Sequence, residues 1–264
     1  SDLARMNLGI QSHFPDLIVD RLEDRDDYEE ILREIAFDLV RLLQQAMELF
    51  ELFGRAGSTE DSIHIQRPSI QPHEQNSDYH KWTVLVDLLR ETIHVLSEES
   101  PSEVRALTRL FVSQQYPLFR RFAFYSFVTV SRPKAKTLLD RIRDSPDAWL
   151  WSTSIQVELF RALPEFWDVL GAEERTLLAE EITEGPSPEK YQGDISEDEW
   201  TRLRDRAVWN RLIRIQQQSE EDLTEVASDL LSEIVERRED WEYTGDEKED
   251  FPIWTESGWG YETD

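Results

Sequence analysis

The 264-residue sequence contains no cysteine. That excludes a disulfide framework and thiolate chemistry, and it points to a reducing, cytoplasmic setting. Glycine is scarce, at nine residues, too few for a strand-and-turn protein or a phosphate-cradling loop. No apolar run approaches the roughly 20 residues of a membrane helix, and the N-terminus has no signal-like segment, so no membrane partner is expected. Basic residues are also short: 29 against 56 acidic ones, a net charge of −27. A phosphate backbone would be repelled, which removes nucleic acid as a simple electrostatic partner. No G-x-G-x-x-G, Walker loop, H-E-x-x-H or G-x-S-x-G is present, so no cofactor and no catalytic site are expected. The chain opens on Ser1 and not on Met, and reads as a piece of a longer polypeptide.

What is present is helical periodicity. Nearly every segment repeats its apolar residues with a period near 3.6, and none alternates with period 2. "DDYEEILREIAFDLVRLLQQAMELFELFG" predicts a long helix ended by Gly54, with a polar line of Glu30, Glu34, Asp38, Arg41, Gln45 and Glu48 and burial on most other sides. Residues 55–80 form a long loop carrying Pro68 and Pro72. Its tip near Ser58 to Asp61 is expected to move, and "RPSIQPHEQ" to be packed. Capping boxes start helices at Ser100/Glu103 and Ser196/Glu199, Pro117 separates two helices, and Ser219 caps a last helix to about Arg238. A shorter helix is expected around Ser154 to Leu163 and another from Ala172 to Thr183.

"EVRALTRLFVS", "KAKTLLDRIRDSP" and "ERTLLAEEITEGP" resemble one another at spacings suited to stacked helix pairs. The expected fold is all-α: an irregular helical-repeat (HEAT/TPR-like) array or multi-helix bundle with an extended C-terminal tail. Residues 1–184 form a helical domain, 185–240 a C-terminal helical pair, and 241–264 an acidic-aromatic tail packed on the body.

Charge and rings are unevenly placed. Glu220 to Asp264 carries 17 acidic and 3 basic residues, whereas Arg120 to Arg143 carries 7 basic and one acidic. Arg120 and Arg121 lie among Phe119, Phe122, Phe124, Tyr125 and Phe127. They are candidate partner-binding residues, although arginines in such a setting also snorkel or pair with acids. His73 and Glu74, in the proline-rich loop, are the other candidate partner contacts. "ETIH" places Glu91 and His94 on one helix face at a di-iron spacing, but without a second such pair they read as a solvated face. "DAWLWSTS" reads as core tryptophan. In the tail, Phe251, Trp254 and Trp259 are candidate docking rings. Their neighbouring acids, from Asp246 to Glu256, would gain from lying near the positive island.

Taken in order, "RPSIQPHEQN", "WTVLVDLLRET", "YPLFRRFAFYSF", "AWLW" before "VELFRAL", and "DEKEDFPIWTESGWG" resemble the helical C-terminal region of large bacterial STAND-type antiviral defence proteins, including those with sirtuin-like effector domains. The resemblance covers about residues 63 to 260. It implies a sensor or scaffold role, with a protein partner that is either a phage protein or the upstream domains of the same polypeptide. It implies no activity and marks no ligand-contacting residue. The leading expectation is therefore a protein-interaction module of a larger cytoplasmic protein, non-catalytic in itself. The alternative is a stand-alone helical enzyme using carboxylate or histidine acid–base or metal chemistry.

Overall fold

The computed structural model of the chain describes residue 22 and residues 24–76, 81–129, 135–190 and 195–255. Among these it has eleven α-helices and no strand; the nearest thing to a sheet is an isolated bridge between Ala56 and Asp61. In chain order the helices are α1 (Tyr28–Leu52), α2 (Ile63–Gln66), α3 (Val84–Glu99), α4 (Pro101–Ser113), α5 (Pro117–Thr129), α6 (Ala135–Asp144), α7 (Pro146–Trp149), α8 (Gln156–Val169), α9 (Ala172–Glu184), α10 (Glu197–Gln218) and α11 (Glu225–Arg237). No helix is long and apolar enough to cross a membrane among the described residues.

The helices pack largely as a chain of neighbours. α1 lies on α3, α3 on α4 and α5, α5 on α8, α8 on α10, and α10 on α11; α9 joins α6, α10 and α11. One continuous core runs through them from Leu32 to Ile234, crossing residue 184 without a break. α5 is its centre. Leu118, Phe119, Phe122, Ala123, Phe124 and Phe127 are all buried, and their rings meet others from every side: Phe122 with Phe111 at 5.5 Å, Phe124 with Trp149 at 5.8 Å, Phe127 with Phe166 at 5.4 Å. Trp149 and Trp151 are core residues.

Several local expectations need correction. Ser196 and Glu199 form a full capping box, each accepting the other's backbone N–H. At Ser100 the hydroxyl instead donates to the Glu103 side chain at 3.2 Å and caps no N–H group. Ser219 ends α10 and starts nothing; its hydroxyl bonds Asp168, and α11 begins only at Glu225. α8 runs through Pro164 to Val169, because burying Phe166 and Trp167 outweighs the hydrogen bond the proline cannot make. α1 is not buried on most sides: Phe37, Leu42, Leu49 and Leu52 are exposed, since among the described residues only α3 covers it substantially. Gly54 ends α1 in the left-handed region at φ 67°. Gly185, at φ 84°, lets the Arg204 side chain pass where a Cβ would stand 2.9 Å from its Nε.

The loop after α1 is pinned at its tip, not free. The Ser152 hydroxyl donates to the Thr59 carbonyl at 2.8 Å, and the Asp61 N–H donates to Ser154 Oγ at 3.3 Å. Asp61 itself is buried. Its carboxylate accepts the N–H groups of Ile63 and of Leu118, each at 3.0 Å, so it satisfies an otherwise orphaned donor at the start of α5.

Candidate functional site

The loop residues 67–76 and the tail after α11 meet over α8 and α10. Asn76 closes the loop on itself, accepting from the Ser69 N–H at 3.1 Å and donating to the Gln71 carbonyl at 3.0 Å. Below it, Glu158 of α8 accepts the Ile70 N–H at 2.6 Å and the Arg121 Nε–H at 2.8 Å. This presents His73 and Gln75 to the tail.

The tail crosses as an extended strap. Trp241 sits edge-on to Trp209 at 5.7 Å, with the Arg206 guanidinium 4.5 Å from the Trp209 ring and 5.0 Å from the Trp241 ring. A short 3-10 turn, Glu247–Asp250, then brings two acids down onto cations. Arg214 donates from Nε at 3.0 Å and from Nη2 at 2.7 Å to Asp250, while its plane lies 4.0 Å from the Phe160 ring. Arg161 donates to Glu247 at 2.6 Å and to Ser69 Oγ at 2.6 Å, tying strap to loop.

Phe251 is 6% exposed and stacks on the His73 imidazole at 4.5 Å; Trp254 meets both rings edge-on. His73 Nδ1 accepts the Gln75 N–H at 3.1 Å, which leaves Nε2 to carry the proton that faces Glu247 at 3.2 Å. The Gln75 amide ends the strap by reading its backbone: Oε1 accepts the Thr255 N–H at 2.8 Å and Nε2 donates to the Thr255 carbonyl at 2.9 Å.

Burial and partners compete at the two carboxylates here. Burial alone would raise Glu247, but hydrogen bonds from Arg161 and His73 hold it below its ordinary value. Asp250 goes the other way, raised by burial with Arg214 only partly opposing. Each charged group named in this cluster has a partner of opposite sign or a ring, so its arrangement serves to hold the strap in place.

Of the residues singled out in the sequence, His73, Phe251 and Trp254 come together. Glu74 beside them points outward and is exposed; Trp259 lies outside the described residues. Arg120 and Arg121 belong to the interior and to no partner surface. Arg121 is fully buried against Glu158. Arg120 donates to the Gln115 carbonyl at 2.7 Å and covers the Trp149 ring, and burial lowers its guanidinium to about 10. Among the described residues the tail acids accordingly pair with Arg161, Arg214 and His73, and not with the Arg120–Arg143 island, whose first two arginines face inward. Glu91 and His94 do not converge either: Glu91 bonds Tyr28 and Arg90, and His94 is exposed. No group of three or more metal-ligating side chains is assembled among the described residues.

Sequence reasoning missed Gln75, Arg161, Arg206 and Arg214. The signal was there in part, since "RDRAVWNRLIR" is the arginine-rich helix nearest the most acidic stretch.

A second surface is plain in the geometry. Along the outer side of α1, Leu42 and Leu49 stand two turns apart and are 41% and 44% exposed. Leu52 at 78% and Phe53 at 48% extend the apolar area to the C-terminal cap, whereas Phe37, at 52%, stands five positions before Leu42 and on another side of the helix. Exposed Asp38, paired with Arg41, and Glu34 precede it on the helix. No family model, curated protein or solved structure matches the chain.

Proposed function

We propose that this chain is a protein-interaction module that receives a basic amphipathic helix on the outer face of α1. The observation that carries the reading is the pair of large apolar side chains, Leu42 and Leu49, left exposed on the first described long helix and continued by Phe53 at its cap, since contiguous exposed apolar area on a folded domain marks an interaction site. Leu42 and Leu49 repeat at seven residues, the spacing at which a second helix seats its own apolar side chains. The acids alongside choose the sign of the partner: Asp38, which also pairs with Arg41, and Glu34 are exposed one and two turns before Leu42, in a chain of net charge −27. Covering each leucine is worth about 1.5–3 kcal/mol, so the stripe supplies affinity and the acids supply selectivity.

In this reading the chain is the sensor or scaffold arm of a larger cytoplasmic protein. That part rests on the proline and aromatic stretches that resemble STAND-type defence proteins. Binding at α1 would bias a switch lying elsewhere in the parent polypeptide.

The test uses a fluorescein-labelled helical peptide with one leucine face and one lysine face, followed by anisotropy. The expected result is saturable binding that weakens about tenfold or more in the Leu42→Ser/Leu49→Ser protein, whose charge is unchanged. Equal binding to both proteins would show charge attraction alone and remove the proposal.

A further inference from the structure

A different part of the molecule carries its own site. α4, α5 and α6 enclose a small cleft walled by Val112, Ala123, Phe127 and Leu138, with Arg105 and Arg109 at its mouth. The walls are almost wholly apolar. The two arginines are one helical turn apart on α4, so their guanidinium groups share one side of the helix. Both are exposed, and neither holds a hydrogen bond or ion pair among the described residues.

In a chain with nearly two acids for every base, several other arginines are drawn onto carboxylates: Arg121 on Glu158, Arg161 on Glu247, Arg175 on Glu221, Arg214 on Asp250. α6 adds Lys136 and Asp140, both exposed, whose charges offset one another. Among the described residues the mouth of the cleft thus holds two cations without a carboxylate partner above an apolar floor.

We infer that this cleft binds an acidic peptide segment by one aliphatic anchor, with Arg105 and Arg109 taking the flanking carboxylates. The anchor's size follows from the room available. The interior volume is about 30 Å³, enough for the tip of one aliphatic side chain and far short of an acyl chain or a flat ring system. The anion follows from the rim, because guanidinium groups bind carboxylates through paired N–H donors. A single buried anchor ringed by charge is the arrangement of an interface hot spot. The site is independent of the face on α1, which selects for the opposite charge.

The probe is a fluorescein-labelled peptide with one leucine flanked by glutamates, titrated against the full chain by anisotropy. Two comparison peptides replace the glutamates by glutamines or the leucine by serine. Arg105→Gln/Arg109→Gln removes the cations, and Thr137→Trp, at an exposed position on the rim, closes the cleft without touching the core; circular dichroism checks that both proteins remain folded. The expected result is saturable binding of the parent peptide that each protein variant and each comparison peptide weakens by about tenfold or more. The inference is overturned if the serine peptide binds as well as the leucine peptide, or if neither protein variant changes binding. Binding of laurate in place of the peptide would overturn it as well.

Discussion

Asp61 accepts N–H groups from its own loop and from the start of α5, and burial raises its carboxyl above the ordinary Asp value although Arg121 opposes. The native state therefore binds this proton more tightly than the unfolded chain. Its contribution to stability is fully present below the ordinary Asp value and is lost as pH rises through the raised folded value. Asp61→Asn keeps an acceptor and cannot titrate. The urea-unfolding free energy of the wild type minus that of this variant should fall as pH climbs through that interval; a rising difference would contradict the assignment. Glu158 and Arg121 pose a different residue-scale question, since both are buried. Removing one partner strands a charge, so Glu158→Gln should cost about 3–5 kcal/mol. Replacing both, as Glu158→Leu/Arg121→Met, should cost less than the single change, because neither charge of this pair is left stranded. Denaturant titration of the two variants decides between these outcomes.

At the scale of elements, the strap ties residues 241–255 to a loop some 180 positions earlier in sequence, through Gln75 and Thr255. Phe251 is its main apolar contribution. Phe251→Ala should destabilise the protein by about 3 kcal/mol, read from the urea midpoint at constant slope. Deleting residues 245–264 removes that ring and also leaves Arg161 and Arg214 without their carboxylates. The melting temperature should then drop by about 10 °C, with new binding of a hydrophobic dye. If the shortened protein melts with the full chain, the strap contributes nothing to the fold.

For the molecule as a whole, the excess of 27 negative charges is a self-repulsion that the fold must oppose. Screening should therefore stabilise it. Raising sodium chloride from about 20 mM to about 300 mM shortens the screening length from roughly 20 Å to below 10 Å. The expected outcome is a melting temperature higher by a few degrees in differential scanning calorimetry. A lower one would mean that attractive ion pairs such as Arg161–Glu247 outweigh the net repulsion.

Helix type and helix order were legible in the chain because periodicity, proline and capping residues act within a few positions of themselves. The 3.6-residue repeat, Pro117 between α4 and α5, and the Ser196/Glu199 box all worked at that range. Burial was less legible, because it depends on how many neighbours a helix acquires. α1 and α5 are both rich in large apolar residues, yet α5 packs on several helices and α1, among the described residues, substantially on α3 alone, so Phe119 is buried while Phe37 is half exposed. The same cause turned Arg120 and Arg121 inward: their position is set by α5 being enclosed, with Glu158 supplied from α8. His73, Phe251 and Trp254 could be singled out as rings and an imidazole lacking any helical role, but their meeting could not. Long-range partners such as Arg161, Arg214 and Gln75 are selected by which helices pack together, and only the tertiary structure decided that.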